Sequence, residues 1–285
     1  MAIDSRRLGG GDTDVVIPLG VGGDPHQADA RIGFQLCIAG NPGGGCRAVL
    51  APREAVRRRI VTFAAVFHRE QHAAADVCVD VRFLHHPGDY GAVAVDLPSG
   101  DDDAGFAEYA DAAVAAAGDA DVVVGQSMGA YTAALVAARL RPRLVVLVNA
   151  MTPKSGETGG EWWGAVGFAE ARQAQAERDG RRLDDDPDDV DAFFHDVPAD
   201  VRAEALSGEF QQSGTPFGQP WTQPWPDVPT LFLAARDDRF FPIELQRRVV
   251  PERLGVDVDE MPGGHLVALS RPAELAERLV AYADA

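Results

Sequence analysis

From Gly91 onward the sequence predicts an α/β fold: a mostly parallel central sheet, helices on both faces, and a helical lid inserted between two strands. Three observations point there. Strand-like runs alternate with helix-like runs. The strands are apolar throughout rather than at every second residue, which suits parallel strands covered on both faces. The stretch Asp121-Val-Val-Val-Gly-Gln-Ser-Met-Gly-Ala-Tyr131 reads as a β-branched strand, a sharp turn and the start of a helix.

Each element has its own signal. Ala92-Val-Ala-Val-Asp-Leu-Pro98 is a buried-type strand ending in a turn. Asp101 to Asp103 can start the next helix, along which Phe106, Tyr109, Ala110, Ala113, Val114 and Ala117 recur at helical spacing. Gly118 ends it. After the 121–131 stretch, a helix runs from Ala130 to Leu140 and Pro142 stops it. Leu144 to Ala150 is the next strand. Strand and helix in this alternation imply right-handed crossovers.

The alternation then halts. Residues 154–227 carry Trp162, Trp163, Phe193, Phe194, Phe210, Phe217, Trp221 and Trp225, with helical pieces near 160–178 and 198–207. All four tryptophans fall here. Such an insertion reads as a lid over an apolar cavity, with Trp162, Trp163, Phe193, Phe194 and Trp221 as its substrate-binding candidates. The sheet resumes with Val228 to Ala235, a helix from about 243 to 250, a short strand at Val256–Met261, and a last helix with Ser270 as N-cap and Pro272 in its first turn. The core is thus assigned to residues 91–153 and 228–285.

Residues 1–90 are poorly readable and atypical. Ile32 to Ala39 suits a strand, Gly40 to Gly45 a glycine-rich loop, Arg53 to His68 a helix, and Val77 to Phe83 a strand. His68 and His72 share a helical face at a zinc-compatible spacing, but the glutamate of H-E-x-x-H is displaced, so a solvated face is the better reading. His85-His86 falls in a loop.

Composition narrows the function. A net charge of −18 argues against nucleic acid and anionic membranes as partners. Much of the acid lies in Leu183-Asp-Asp-Asp-Pro-Asp-Asp-Val-Asp191, a solvated run without the glycine and distal glutamate of a calcium loop. Cys37, Cys46 and Cys78 form neither a disulfide framework nor a zinc pattern. Met1-Ala-Ile-Asp-Ser-Arg-Arg has no apolar run behind it, and no stretch is long and apolar enough to span a bilayer. A cytoplasmic protein with no metal and no cofactor is expected; a homodimer is open to it.

The chemistry centres on Gly125-Gln-Ser-Met-Gly129, which fits the G-x-S-x-G nucleophile elbow. Its turn lifts the Ser127 hydroxyl above the sheet, and the helix behind it aims N–H groups where negative charge develops. Serine needs a base, and the base needs an acid to fix its tautomer. Asp237 or Asp238 follows a strand, with Asp238 favoured because it stands where the chain turns away before Pro242. His265 follows the last strand, behind two glycines. Loops at the C-terminal ends of parallel strands can bring all three together.

These residues carry a resemblance. Val95-Asp-Leu-Pro98, Gly125-Gln-Ser-Met-Gly129, Arg236-Asp-Asp-Arg-Phe-Phe-Pro242 and Gly263-Gly-His-Leu-Val-Ala-Leu-Ser-Arg-Pro272 resemble the α/β-hydrolase superfamily, in particular small lidded esterases similar to plant methyl esterases and hydroxynitrile lyases. The resemblance implies Ser127 as nucleophile, Asp238 as acid, His265 as base and the Met128 backbone N–H as one oxyanion donor. Lyases of this type carry lysine after the histidine; Leu266 stands there, which argues against lyase chemistry. The family's second donor comes from a loop about thirty residues before the strand ending in Asp-Leu-Pro. No such loop is legible at that distance, and Gly40–Gly45 is the best substitute. A serine hydrolase acting on an ester of a small, mainly apolar molecule is the leading expectation. A non-catalytic binding protein on the same scaffold, and acyl transfer or C–C hydrolysis on the same triad, are the alternatives.

Overall fold

The computed structural model describes residues 35–38, 58–65, 77–80, 90–185, 189–207 and 212–285. Its strands are β1 Gln35–Ile38, β2 Arg58–Ala65, β3 Val77–Asp80, β4 Tyr90–Ala94, β5 Val122–Ser127, β6 Leu144–Val148, β7 Thr230–Ala235 and β8 Val258–Met261. β1 and β3 form an antiparallel pair. The other six make one sheet in the order β4-β2-β5-β6-β7-β8, parallel throughout.

The strand β2 corrects the helix expected over residues 53–68. Ile60, Val61 and Thr62 are β-branched, which costs a helix side-chain freedom and suits a pleated strand. Parallel pairing on both edges, with β4 and β5, then outweighs a weak local preference. The sheet therefore draws on residues before Gly91. Cys46, the glycines at 40–45, His68, His72, His85, His86 and Phe210 lie outside the described residues.

Helices α1 Phe106–Ala117 and α2 Gly129–Leu140 follow β4 and β5. Gly105 rather than Asp101–Asp103 caps α1: the Glu108 carboxylate accepts from Gly105 N at 2.8 Å, while Asp101 closes a preceding turn onto Asp103 N. Between β6 and β7 come α3 Gly159–Ala165, α4 Phe168–Arg178, a 3₁₀ turn at Leu183–Asp185, α5 Val190–Phe194, α6 Ala199–Ala205 and α7 Thr215–Gly218. The chain ends with α8 Ile243–Leu254, then β8, α9 Val267–Ser270 and α10 Pro272–Asp284. Ser270 closes α9 instead of capping α10, whose cap is Arg271.

Alternate residues of each central strand feed opposite cores. Val122 and Val124 join Val146, Leu233, the insertion and α10, whereas Val123 joins Leu147, Phe232 and the alanines of α1 and α2. All of β5 is buried. A strand covered on both faces is apolar along most of its length, as read from the sequence, and the buried polar residues of β5 are Gln126 and Ser127 at its C-terminal end. Among the described residues no helix is long and apolar enough to cross a membrane.

Candidate active site

Ser127 ends β5 and has φ +52°, a left-handed backbone that serine adopts only when its surroundings enforce it. Gly125 explains part of the enforcement. A Cβ there would stand 2.7 Å from Ala133 Cβ and 2.9 Å from the Gly129 carbonyl, so only glycine lets α2 pack this close. Met128 follows as the first residue of the turn into α2, which places its backbone N–H at a helix N-terminus. Tyr131, on the same helix, has a buried hydroxyl without a hydrogen-bond partner among the described residues, and burial pushes its phenol far above the usual range. It stays protonated at neutral pH and offers no base.

The loops that follow β7 and β8 meet at the same sheet edge. Asp238, fully buried just beyond β7, spends one carboxylate oxygen on Phe240 N (2.7 Å) and Phe241 N (2.8 Å). Its other oxygen stands 2.8 Å from His265 Nδ1. His265, just beyond β8, is also fully buried, and its ring is edged by Phe193, Phe240 and Phe241 at centroid distances of 5.2, 5.1 and 5.0 Å. With Nδ1 committed to the carboxylate, Nε2 is the ring nitrogen left over; it is buried and has no hydrogen-bond partner among the described residues. Asp237 does not reach the ring. Its carboxylate accepts from Gly263 N at 3.0 Å and its N–H donates to Gly263 O at 2.9 Å, so it brackets the histidine loop. Gly263 itself has φ +125°.

Two side chains that sequence reasoning missed tie this loop to the elbow. Gln126 Nε2, beside Ser127, donates to the His265 carbonyl at 2.7 Å. Asn149 Nδ2 donates to the same carbonyl at 3.0 Å and to Gly264 O at 3.3 Å, while its Oδ1 accepts from Ala235 N at 2.7 Å. Asn149 is fully buried at φ +43°. One amide thus joins the ends of β6 and β7 to the histidine loop. The only sequence signal is an amide residue directly after a strand.

A family model described as "Alpha/beta hydrolase family" matches residues 51–278, most of the chain. The chain belongs to that family. It is 34% identical over 98 residues to a pyrethroid hydrolase of Sphingobium wenxiniae, an alignment covering 33% of this chain and 35% of that protein. It therefore spans about a third of the length of that curated relative. A pyrethroid hydrolase structure from Sphingobium faniae superposes with a TM-score of 0.58 at 21% identity, covering 80% of this chain and 98% of the other. Polyneuridine aldehyde esterase superposes with a TM-score of 0.58 at 15% identity, covering 79% and 98%. These likenesses are to the α/β-hydrolase fold.

Of the five aromatic residues expected to bind substrate in this α/β-hydrolase, Trp162, Phe193, Phe194 and Trp221 are buried in the core that the insertion shares with the sheet. Trp163 lines a cavity of about 500 Å³ together with Phe168, Phe217 and Phe240, and the charged Glu170, Arg172 and Asp189 line it as well. Phe240 also edges His265, so the cavity wall and the base share one ring. The acidic run is less solvated than expected: Asp189 is buried against Arg172 at 2.6 Å, and Asp191 pairs with Arg239. No group of three or more metal-ligating side chains occurs among the described residues.

Proposed function

We propose that the protein is a serine hydrolase that cleaves a carboxylic ester of a small, mainly apolar molecule. The observation that carries this reading is the buried His265: Asp238 holds Nδ1, and Nε2 is left without a partner on a loop bonded to the residue next to Ser127. Ser127 Oγ attacks the ester carbonyl and His265 Nε2 takes its proton. The Met128 N–H stabilises the tetrahedral oxyanion. The imidazolium then protonates the departing alcohol, leaving an acyl-serine. Water, deprotonated by His265, releases the acid and restores the serine. In apo hydrolases the serine–histidine hydrogen bond often tightens only with substrate, so its absence does not argue against the pair.

The second oxyanion donor belongs at the end of β2. Ala65 is in register with Ser127, and β2 ends 27 residues before Ala92, the spacing the resemblance asks for. Residues 154–227 act as the lid on a core of 91–153 and 228–285, completed by β2. The four aromatic rings of the cavity, set against its three charged lining residues, favour an apolar substrate, and relatives named as a pyrethroid hydrolase and polyneuridine aldehyde esterase fit ester cleavage.

The test is Ser127→Ala assayed on a graded panel of nitrophenyl esters, together with labelling by a fluorophosphonate. Wild type should be labelled and active, and the variant should lose roughly 10⁴- to 10⁶-fold in kcat. Substantial residual esterase activity in the variant rejects the mechanism. A wild type that resists the probe and turns nothing over supports the non-catalytic binding protein instead.

A further inference from the structure

The insertion does more than cover the acid and base loops; three of its side chains reach them. Gln175 on α4 donates to the Asp238 carbonyl at 3.0 Å. Phe193 on α5 stands edge-on to the His265 ring. Asp196, two residues beyond α5, accepts through Oδ2 from Gly264 N at 2.7 Å. The approach at Gly264 is tight: a Cβ there would fall 2.5 Å from Asp196 Oδ1 and 2.6 Å from His195 Nε2. Both of those atoms are buried without hydrogen-bond partners among the described residues. A carboxylate oxygen held unpaired in such a place destabilises the fold. The unpaired oxygen offsets part of what the bond to Gly264 N contributes, and a role in placing the loop accounts for keeping it.

The need for placement lies in the backbone. Gly263-Gly264 is the most permissive dipeptide the chain could use, and His265 hangs from it. Asp237 fixes Gly263 from the sheet side. The anchor on Gly264 N comes from the insertion. We propose that Asp196 is a positioning residue for the base: it sets the stance of the Gly263–Gly264 turn, so that seating of the insertion and alignment of His265 Nε2 are one event. This rests on the reading of Ser127, His265 and Asp238 as a triad.

The experiment compares wild type, D196A, D196N and S127A by rate of fluorophosphonate labelling, by kcat and KM on nitrophenyl acetate, and by melting temperature. D196A should label and turn over about 10–100-fold more slowly, the cost of a small misplacement, with KM little changed. D196N keeps an acceptor for Gly264 N and should restore the wild-type rate. A purely structural role would lower the melting temperature and leave the rates of folded protein unchanged. If D196A does not accumulate folded, D196S, too short to reach the amide, carries the same expectation. Wild-type labelling in D196A, or D196N as slow as D196A, overturns the proposal. Labelling of S127A at the wild-type rate would instead bring down the triad reading, so the two failures are distinguishable.

Discussion

Asn149 shows how a single side chain can hold the geometry of a site through backbone atoms alone. Its amide is fully used, as acceptor for Ala235 N and donor to the carbonyls of Gly264 and His265. Aspartate has the same shape, tolerates the left-handed backbone at φ +43° and can still accept from Ala235 N. N149D therefore removes only the donor and turns a carboxylate oxygen toward two carbonyls. Esterase kcat/KM should fall about 10²-fold through displacement of His265. The His265 carbonyl keeps its bond from Gln126, so stability should fall by about 1–3 kcal/mol for the Gly264 carbonyl left unpaired, read as a lower denaturation midpoint. Unchanged kcat/KM in N149D would show that the clamp is unrelated to catalysis. Ser127, Asp238 and His265 were legible because a motif or a strand end marks each one. Gln126, Asn149 and Asp196 were not, since they act on backbone atoms 139, 116 and 68 residues away, and no local pattern records such a contact.

Among the elements, legibility followed the strength of the local pattern. The strands and helices after Gly91 carry apolar runs, a proline stop after α2 and a glycine stop after α1, and they occur in the order read, although β4 runs Tyr90–Ala94 rather than Ala92–Pro98. β2 was misread as helix because its identity is settled by pairing with β4 and β5, partners far along the chain. That error also hid the strand that ends beside Ser127. In the insertion, α3 is a short helix begun by two glycines, both poor helix formers, so its start depends on a cap. Thr158 Oγ1 accepts from Glu161 N at 3.1 Å, and Glu161 returns to Thr158 N at 2.9 Å. T158A should lower stability by about 1 kcal/mol. The hydrogen bonds from Thr158 hold the Glu161 carboxyl below its ordinary 4.5. A depressed folded value means stability that is present above pH 4.5 and lost as the pH falls through that lower value. T158A keeps the backbone donor and removes only the hydroxyl's share, so the gap between wild type and T158A, measured by thermal melts in a pH series, should narrow in part on acidification. A gap that widens would mean that the bonds to Glu161 do not supply it.

At the scale of the molecule, the insertion and the sheet share one core. Trp162, Trp221 and Phe193 from the insertion pack in the same cluster as Val146 and Leu233 from the sheet. Trp162 lies 5.3 Å from Phe241 on the acid loop, and Trp221 5.5 Å from Tyr131 on α2. The buried pair Arg172–Asp189, with the Arg172 guanidinium over Phe240, adds a further tie from insertion to acid loop. An element that contributes its large rings to a common core cannot leave without opening that core to water. All four tryptophans lie in the insertion, so their fluorescence reports its packing, whereas far-UV circular dichroism reports the sheet and helices together. Urea denaturation followed by the two signals should give coincident midpoints, the signature of one cooperative transition. If fluorescence changes at distinctly lower urea, the insertion opens by itself. The bond from Asp196 to Gly264 would then be lost before the sheet unfolds, and enzymatic activity should vanish with the fluorescence change rather than with the dichroism.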